Sequence, residues 1–246
     1  MDTKKHVPLW GKALVGMAVA LAVIFSILMP NLRDTQMPQF DIIQFGGHDW
    51  LVLDVQGDYA LIITENIISH RMYHHTFEAV TWETSEIREY LNSTFFYTFS
   101  ESDRIRIRET TIINNDNPWD FSDAGRYAAT PGGNNTIDRI FLLSIEEVVQ
   151  YFGDSGMLAI GATMNANDRH NDAIQGLGAW RIFDQYSNTR IARDTAGSAS
   201  WWWLRSPGSS PRRAAYVFDS ISIDGAMVFL DIGGGVRPAL WLDMGS

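Results

Sequence analysis

Residues 13–29 read ALVGMAVALAVIFSILM, seventeen positions without a single charge. A run of that length meets the lower limit of what crosses a bilayer as one helix. It splits the chain into a short basic head and a long remainder. Lys4, Lys5 and Lys12 precede the run and only Arg33 follows closely, a bias that places residues 1–12 in the cytoplasm. The small-x-small triplets (Gly16/Ala18, Ala18/Ala20, Ala20/Ala22) lie inside the run. Its end, Ile27, Leu28, Met29 and Pro30, offers no processing site. The segment therefore reads as an uncleaved signal anchor, with a cleaved signal peptide as the alternative. Either reading exports the remainder. The expected organisation is a transmembrane helix at 13–29, a polar linker at 30–39 and an extracytoplasmic globular domain at 40–246, with the cytoplasmic membrane as the first partner.

That exported part contains no cysteine. Disulfides, thiolate metal sites, iron–sulfur clusters, cysteine nucleophiles and a lipidated cysteine anchor are all excluded. Stability has to come from core burial, and a chain that is 46% hydrophobic and of this length can supply it. All three lysines sit in the head, so the remainder sets sixteen arginines against twenty-eight acidic residues. An acidic surface of that kind repels phosphate backbones, and no nucleic-acid partner is expected.

The pattern along the domain runs from strands to helices and back to strands. Apolar, β-branched runs at 40–45, 50–55 and 59–64 are separated by Gly46-Gly47-His48 and Gln56-Gly57-Asp58, which reads as consecutive antiparallel hairpins. Thr84 is placed to cap a helix carrying Ile87, Leu91 and Phe95 on one face. Ser100-x-x-Asp103 opens a second, short helix. Residues 141–143 (FLL) read as a buried strand. Ser144-x-x-Glu147 is a capping box before Ile145, Val148, Val149 and Phe152, with Gly153 as the stop. Strands are expected at 201–204, 215–219, 221–223, 226–230 and 236–242. Two polar stretches, 114–135 and 161–200, are too long for ordinary connections and read as surface excursions or binding loops. The fold class is α+β, with mixed or antiparallel sheets and a few short helices.

Four blocks occur in a fixed order: Trp82, Arg88 and Asn92 with their neighbours from Thr81 to Phe96; Asp138-x-Ile140-Phe141-Leu142-Leu143-Ser144-x-x-Glu147; Trp202-Trp203-Leu204-Arg205-Ser206-Pro207-Gly208; and Gly235-Val236-Arg237-Pro238-Ala239-Leu240-Trp241. Together they resemble the bacterial family known as domain of unknown function 6273, over roughly residues 40–242. The resemblance implies a domain found in extracellular and membrane-anchored proteins of Gram-positive bacteria, and assigns no chemistry. The closing pattern is also similar to C-type-lectin-like folds of the sulfatase-modifying-factor type, an analogy of fold only.

Trp82, Arg88, Asn92, Glu147, Trp202, Trp203, Pro207, Gly208 and Pro238 are expected to be structural elements of these blocks. Trp201, Arg205 and Arg237 are the ligand-binding candidates. In a strand, Trp201 and Trp203 share one face and Trp202 the other, so Trp201 can offer an aromatic platform to a sugar ring or peptide. The arginines lie among apolar residues and need partners. Backbone carbonyls, Glu83 or Glu147 would make them structural, whereas an open pocket would make them an anion site. His70, His74 and His75 could hold a metal only with a carboxylate or further histidine from elsewhere, and a surface loop with no metal is the expectation. The oxygen-rich stretch Asn165, Asn167, Asp168, Asn171 and Asp172 suits calcium by composition but lacks the spacing of a calcium loop. No nucleophile elbow, zinc-binding helix or phosphate loop occurs, and Gly233-Gly234-Gly235 reads as a turn.

Three readings of function follow. The first is a non-catalytic recognition module for a cell-wall glycan or surface protein. The second is an envelope polysaccharide hydrolase using two carboxylates among Asp116, Asp120, Asp123, Asp168, Asp172 and Asp184. The third is an architectural subunit of a membrane complex.

Overall fold

The structure is a computed structural model that describes residues 37–121, 129–165, 167–168, 180–231 and 233–245. The expected anchor at 13–29 lies outside these residues, and no helix among them is long and apolar enough to cross a membrane. The domain is α+β, with mostly antiparallel sheets and a few short helices.

The hairpin signals fold as hairpins. β1 (Ile42–Phe45), β2 (His48–Gln56) and β3 (Tyr59–Thr64) form a meander joined by two-residue turns. Gly46 and Gly47 both take positive φ, 56° and 82°, the conformation that matches the strand twist in such a turn. A Cβ on Gly46 would also collide with the Phe99 ring at 2.2 Å. The fourth strand of this sheet is β14 (Ala239–Asp243), giving the order β1-β2-β3-β14. Its outer edge is closed by the backbone of Arg106 and Arg108 on one side and Phe141 on the other, so no unpaired ladder is left there. The 141–143 segment is thus a buried isolated bridge, Phe141 to Ala239, and not the strand predicted.

The larger sheet has the order β4-β13-β10-β11-β12-β7, built from β4 (Ser69–Arg71), β7 (Arg181–Ile182), β10 (Trp202–Pro207), β11 (Arg213–Val217), β12 (Ile221–Met227) and β13 (Gly234–Val236). Among the described strands only β10 and β13 pair in parallel. Two sequence readings change here. The strands expected at 221–223 and 226–230 are one strand, β12, and Gly225 at φ 80° sits inside it beside a register shift. The strand expected at 236–242 is two strands in different sheets, because the chain passes from one sheet to the other at Arg237 and Pro238. Gly234 and Gly235 belong to β13, so of the expected glycine turn only Gly233, at φ 62°, has a turn conformation. Two small ribbons complete the strands: β5 (Thr110–Ile112) with β6 (Thr136–Asp138), and β8 (Ala192–Arg193) with β9 (Ala199–Ser200). Neither ribbon carries a long alternating pattern, which is why both fall inside or beside stretches read as loops.

Helices seal the sheets. α1 (Glu86–Tyr90) is capped by Ser85, one residue after the expected Thr84, and runs on through a π-helical turn at Leu91–Phe95 and a 3-10 turn at Phe96–Thr98. Ser100 caps α2 (Glu101–Arg104) as predicted. α3 (Ile145–Phe152) has both bonds of the Ser144/Glu147 capping box and stops at Gly153, φ 118°. It buries Ile145, Val148, Val149 and Phe152, the residues at helical spacing. α4 (Met157–Thr163) ends inside the stretch read as a polar excursion, 161–200, which also holds a 3-10 turn at Ser187–Arg190.

His48, at the end of the first turn, gives a testable pH dependence. Its ring lies 5.8 Å from Phe95 and 6.4 Å from Trp50, and partial burial holds its pKa below the ordinary value of 6.5 despite the opposing Asp49 charge. The unfolded chain therefore binds a proton more readily than the folded one. The stabilisation is complete above pH 6.5 and is lost as pH falls through the lowered folded value. Between pH 7.5 and 5, the unfolding temperature of the wild type should fall more than that of His48→Gln. Equal falls would show that His48 contributes nothing.

Candidate functional site

Trp202 and Trp203 open β10 and set its two faces. Across the sheet, Trp202, Val217, Ile221 and Ile182 stand in register, and successive residues alternate sides. That face is interior: Trp202 packs 6.4 Å from Phe152 of α3 and its indole N–H donates to the Arg190 carbonyl at 3.1 Å. The other face carries Trp203, Tyr216, Ser222 and Arg181 in register. Trp203 is fully buried against Tyr73, and its indole N–H donates to the Arg71 carbonyl at 2.9 Å.

Trp201 lies on the same side as Trp203, edge-on to it at 4.8 Å and edge-on to Tyr216 at 5.2 Å. It is only half-buried. Gly234 of β13 makes this arrangement possible, since a Cβ there would fall 2.5 Å from the Trp201 ring and 2.4 Å from Trp203 Nε1. Trp201 and Tyr216 line a cleft of about 650 Å³, together with Phe218, Arg181, Arg213 and Asp224. Phe218, on the turn between β11 and β12, is 40% exposed. Asp219 and Ser220 of that turn add polar groups to the wall. Arg213 is held by Asp224 Oδ2 at 2.9 Å and the Gly225 carbonyl at 2.8 Å, so the polar groups are fixed in place before any ligand arrives. A concave surface with three aromatic side chains and paired charges is suited to binding a ring with one apolar face and a hydroxylated rim.

The other two candidates are placed elsewhere. Arg205 is nearly buried, in an ion pair with Glu147 whose Oε1 accepts from Nη2 at 2.9 Å and whose Oε2 accepts from Nη1. It also donates to the carbonyls of Leu142 (2.8 Å) and Ile113 (3.3 Å). Since Glu147 Oε2 also accepts from the Ser144 N–H at 2.8 Å, the capping box of α3 and β10 share one carboxylate. Arg237 is 1% exposed. Its Nε donates to the Thr64 carbonyl at 2.8 Å and Nη2 to Glu65 O at 3.1 Å, with the guanidinium 4.9 Å from the Trp202 ring. Burial draws its pKa down to about 9, partly offset by Glu65, which still leaves it charged at neutral pH.

Trp82, Arg88 and Asn92 tie the first block to the second. Arg88 donates to Asp138 Oδ1 at 2.7 Å, while Asp138 Oδ2 accepts from Trp82 Nε1 at 2.9 Å and Thr136 Oγ1 at 2.7 Å. Asn92 spans the same gap, donating to Ile140 O at 2.8 Å and accepting from the Arg139 N–H at 2.8 Å. Asn117 reaches across to donate to the Pro207 and Ile223 carbonyls. Gly208 has no room for a Cβ, which would lie 2.3 Å from the Asp224 carbonyl oxygen. Pro238 contributes its carbonyl to the Thr64 N–H at 3.0 Å, where β3 meets β14.

Of the six carboxylates considered for hydrolysis, Asp123 and Asp172 lie outside the described residues. Asp184 is buried in a bidentate pair with Arg190, at 2.8 and 3.0 Å. Asp116 accepts from the Gly132 N–H at 3.0 Å. Asp120 and Asp168 are exposed. In the calcium-like stretch, Asn165 and Asp168 bond to each other as a local cap, and His170, Asn171 and Asp172 lie outside the described residues. The sequence names Asp184 as a carboxylate candidate but not its buried partner Arg190, and it does not single out the cleft residues Arg213, Tyr216, Phe218 and Asp224. The register partnership of Tyr216 with Trp203 is the signal that leads to the cleft once β10 and β11 are paired.

Comparison with known families matches residues 57–244 to the profile described as domain of unknown function, DUF6273. The chain belongs to this family. All four sequence blocks fall within the matched span. Membership in DUF6273 identifies the domain and assigns it no activity. No curated protein and no solved structure matches the chain.

Proposed function

We propose that this DUF6273 domain is a non-catalytic recognition module, held at the outer face of the cytoplasmic membrane by residues 13–29, that binds a cell-wall glycan in the Trp201 cleft. The observation that carries the reading is the partly exposed Trp201 indole beside Tyr216 and Phe218 in a concave wall, with Arg213 and Asp224 at its polar side. An aromatic face stacks on the C–H face of a sugar, and a preset charged pair supplies donors and acceptors for hydroxyls. A C-type-lectin-like architecture is part of the same proposal, supported by the order of the closing blocks: tryptophan and arginine, then glycine-rich hairpin, then Gly-Val-Arg-Pro.

The test is calorimetric titration of the purified chain with soluble fragments of cell-wall glycan. Trp201→Ala should weaken binding at least tenfold, the equivalent of about 1.4 kcal/mol. The exposed Phe218→Ala should weaken it less, and both variants should keep a cooperative unfolding transition. Absence of binding by the folded wild type would overturn the glycan reading and favour a protein partner.

A further inference from the structure

His74 and His75 follow β4 by three and four residues, and Glu86 is the first residue of α1. The polypeptide brings one side-chain ligand atom from each within 4.8 Å of the other two. The backbone holds them there: the His74 N–H donates to the Val228 carbonyl at 3.0 Å, and the Ile87 N–H donates to Tyr73 O at 3.2 Å, tying the start of α1 to the histidine segment. Glu86 is further oriented by the His75 N–H, which donates to its Oε2 at 3.0 Å, while Oε1 contacts His75 Nδ1. The two imidazole rings lie 5.3 Å apart.

His74 is the informative member. It is nine-tenths buried, its Nε2 is bonded to Glu78 Oε1 at 2.8 Å, and its buried Nδ1 has no hydrogen-bond partner. A surface imidazole–carboxylate pair accounts for His75 and Glu86 alone. It does not account for a second, buried imidazole with an unmatched nitrogen beside them. With Nδ1 as the ligand atom, the Glu78 carboxylate on Nε2 would be the outer-shell partner that orients the imidazole.

We propose that His74, His75 and Glu86 form a site for a first-row divalent transition metal, with zinc the best match. Two imidazoles and one carboxylate are a zinc-type donor set, whereas calcium and magnesium take oxygen ligands. Closing the three atoms around a tetrahedral ion requires separations of about 3.4 Å, a movement that falls to the exposed His75 and the partly exposed Glu86 side chains. Three protein ligands leave one position open. Glu86 also lines a second cleft of about 370 Å³ with His70, Arg71, Tyr90 and Asp231, so a small anion there could complete the coordination. The site is independent of the Trp201 cleft and of the glycan reading.

The experiment uses the tag-free chain, stripped with chelator and dialysed. Titration with zinc should show one site per chain, and cobalt(II) at the same site should give visible absorption bands of a four-coordinate ion. Zinc should also raise the unfolding temperature. His75 is exposed and Glu86 partly so, and a cooperative unfolding transition of His75→Ala and Glu86→Gln without metal checks that both variants fold. Each should loosen binding at least tenfold and remove the cobalt bands, while His48→Gln, which lies outside both clefts and the cluster, leaves both intact. No stoichiometric zinc binding, or binding that survives His75→Ala and Glu86→Gln together, would overturn the proposal.

Discussion

Asp138→Ala is expected to destabilise the domain by about 3–5 kcal/mol, the range for removing one partner of a buried ion pair. The Asp138 side chain is completely buried and accepts three hydrogen bonds: from Arg88 on α1, from the Trp82 indole and from the Thr136 hydroxyl. Alanine leaves all three donors unmatched. One of them is a guanidinium that is three-quarters buried. Asp138→Asn keeps the shape but offers one acceptor oxygen where there were two, and it turns an N–H₂ group toward existing donors. Its loss should be smaller, about 2–3 kcal/mol. The measurement is urea unfolding, in which the midpoint should fall while the slope stays unchanged. A double-mutant cycle with Arg88→Met should give a coupling above about 1 kcal/mol. A change below 1 kcal/mol for Asp138→Ala would show that the first two sequence blocks are not held together by this carboxylate.

How much of this was legible in the sequence depends on how far apart the partners lie. The strand at 59–64 and the Ser144 capping box are local patterns, and both have their expected bounds. The alternation of Trp201, Trp202 and Trp203 is local too, and it correctly separates an interior face from one that reaches the cleft. The break after Val236 was not legible. Residues 234–243 are uniformly apolar apart from Arg237 and Asp243, and only pairing with Ser69 on one side and Ile63 on the other shows two sheets. Asp224-Gly225 reads as a turn because glycine at positive φ usually is one, yet here it is an irregularity within β12. The cleft draws on β7, β9, Trp201 just before β10, β11, β12 and the 218–220 turn, so no window of sequence contains it. The histidine cluster shows the same limit. His74 and His75 are adjacent, but the carboxylate they required is eleven residues on from His75, across a loop whose path the sequence does not reveal.

Arg237→Ala carries the second large expected effect, about 3–5 kcal/mol of lost stability from a cavity together with lost hydrogen bonds. The reason lies in the sheet switch. At the end of β3 the ladder with β14 stops, and the carbonyls of Thr64 and Glu65 face inward without strand partners; Nε and Nη2 of Arg237 supply the donors. The guanidinium also fills the space between Trp202 and Phe152, 4.9 and 5.3 Å from their rings. Two further substitutions separate these contributions. Arg237→Met restores most of the volume and removes a buried charge that has no ion-pair partner among the described residues, so its cost reduces to the two orphaned carbonyls, about 1–3 kcal/mol. Arg237→Lys keeps the charge but cannot present a planar fork to both carbonyls or stack on the indole, and it should be no better than Met. Calorimetric unfolding of the three variants, alongside ligand titration, distinguishes a structural arginine from a ligand-binding one. The structural role requires the order Ala below Met and Lys, with any change in glycan affinity no larger than the loss of folded protein explains. If all three variants unfold like the wild type and binding alone is lost, Arg237 acts on a ligand and the sheet switch is held by the backbone without it.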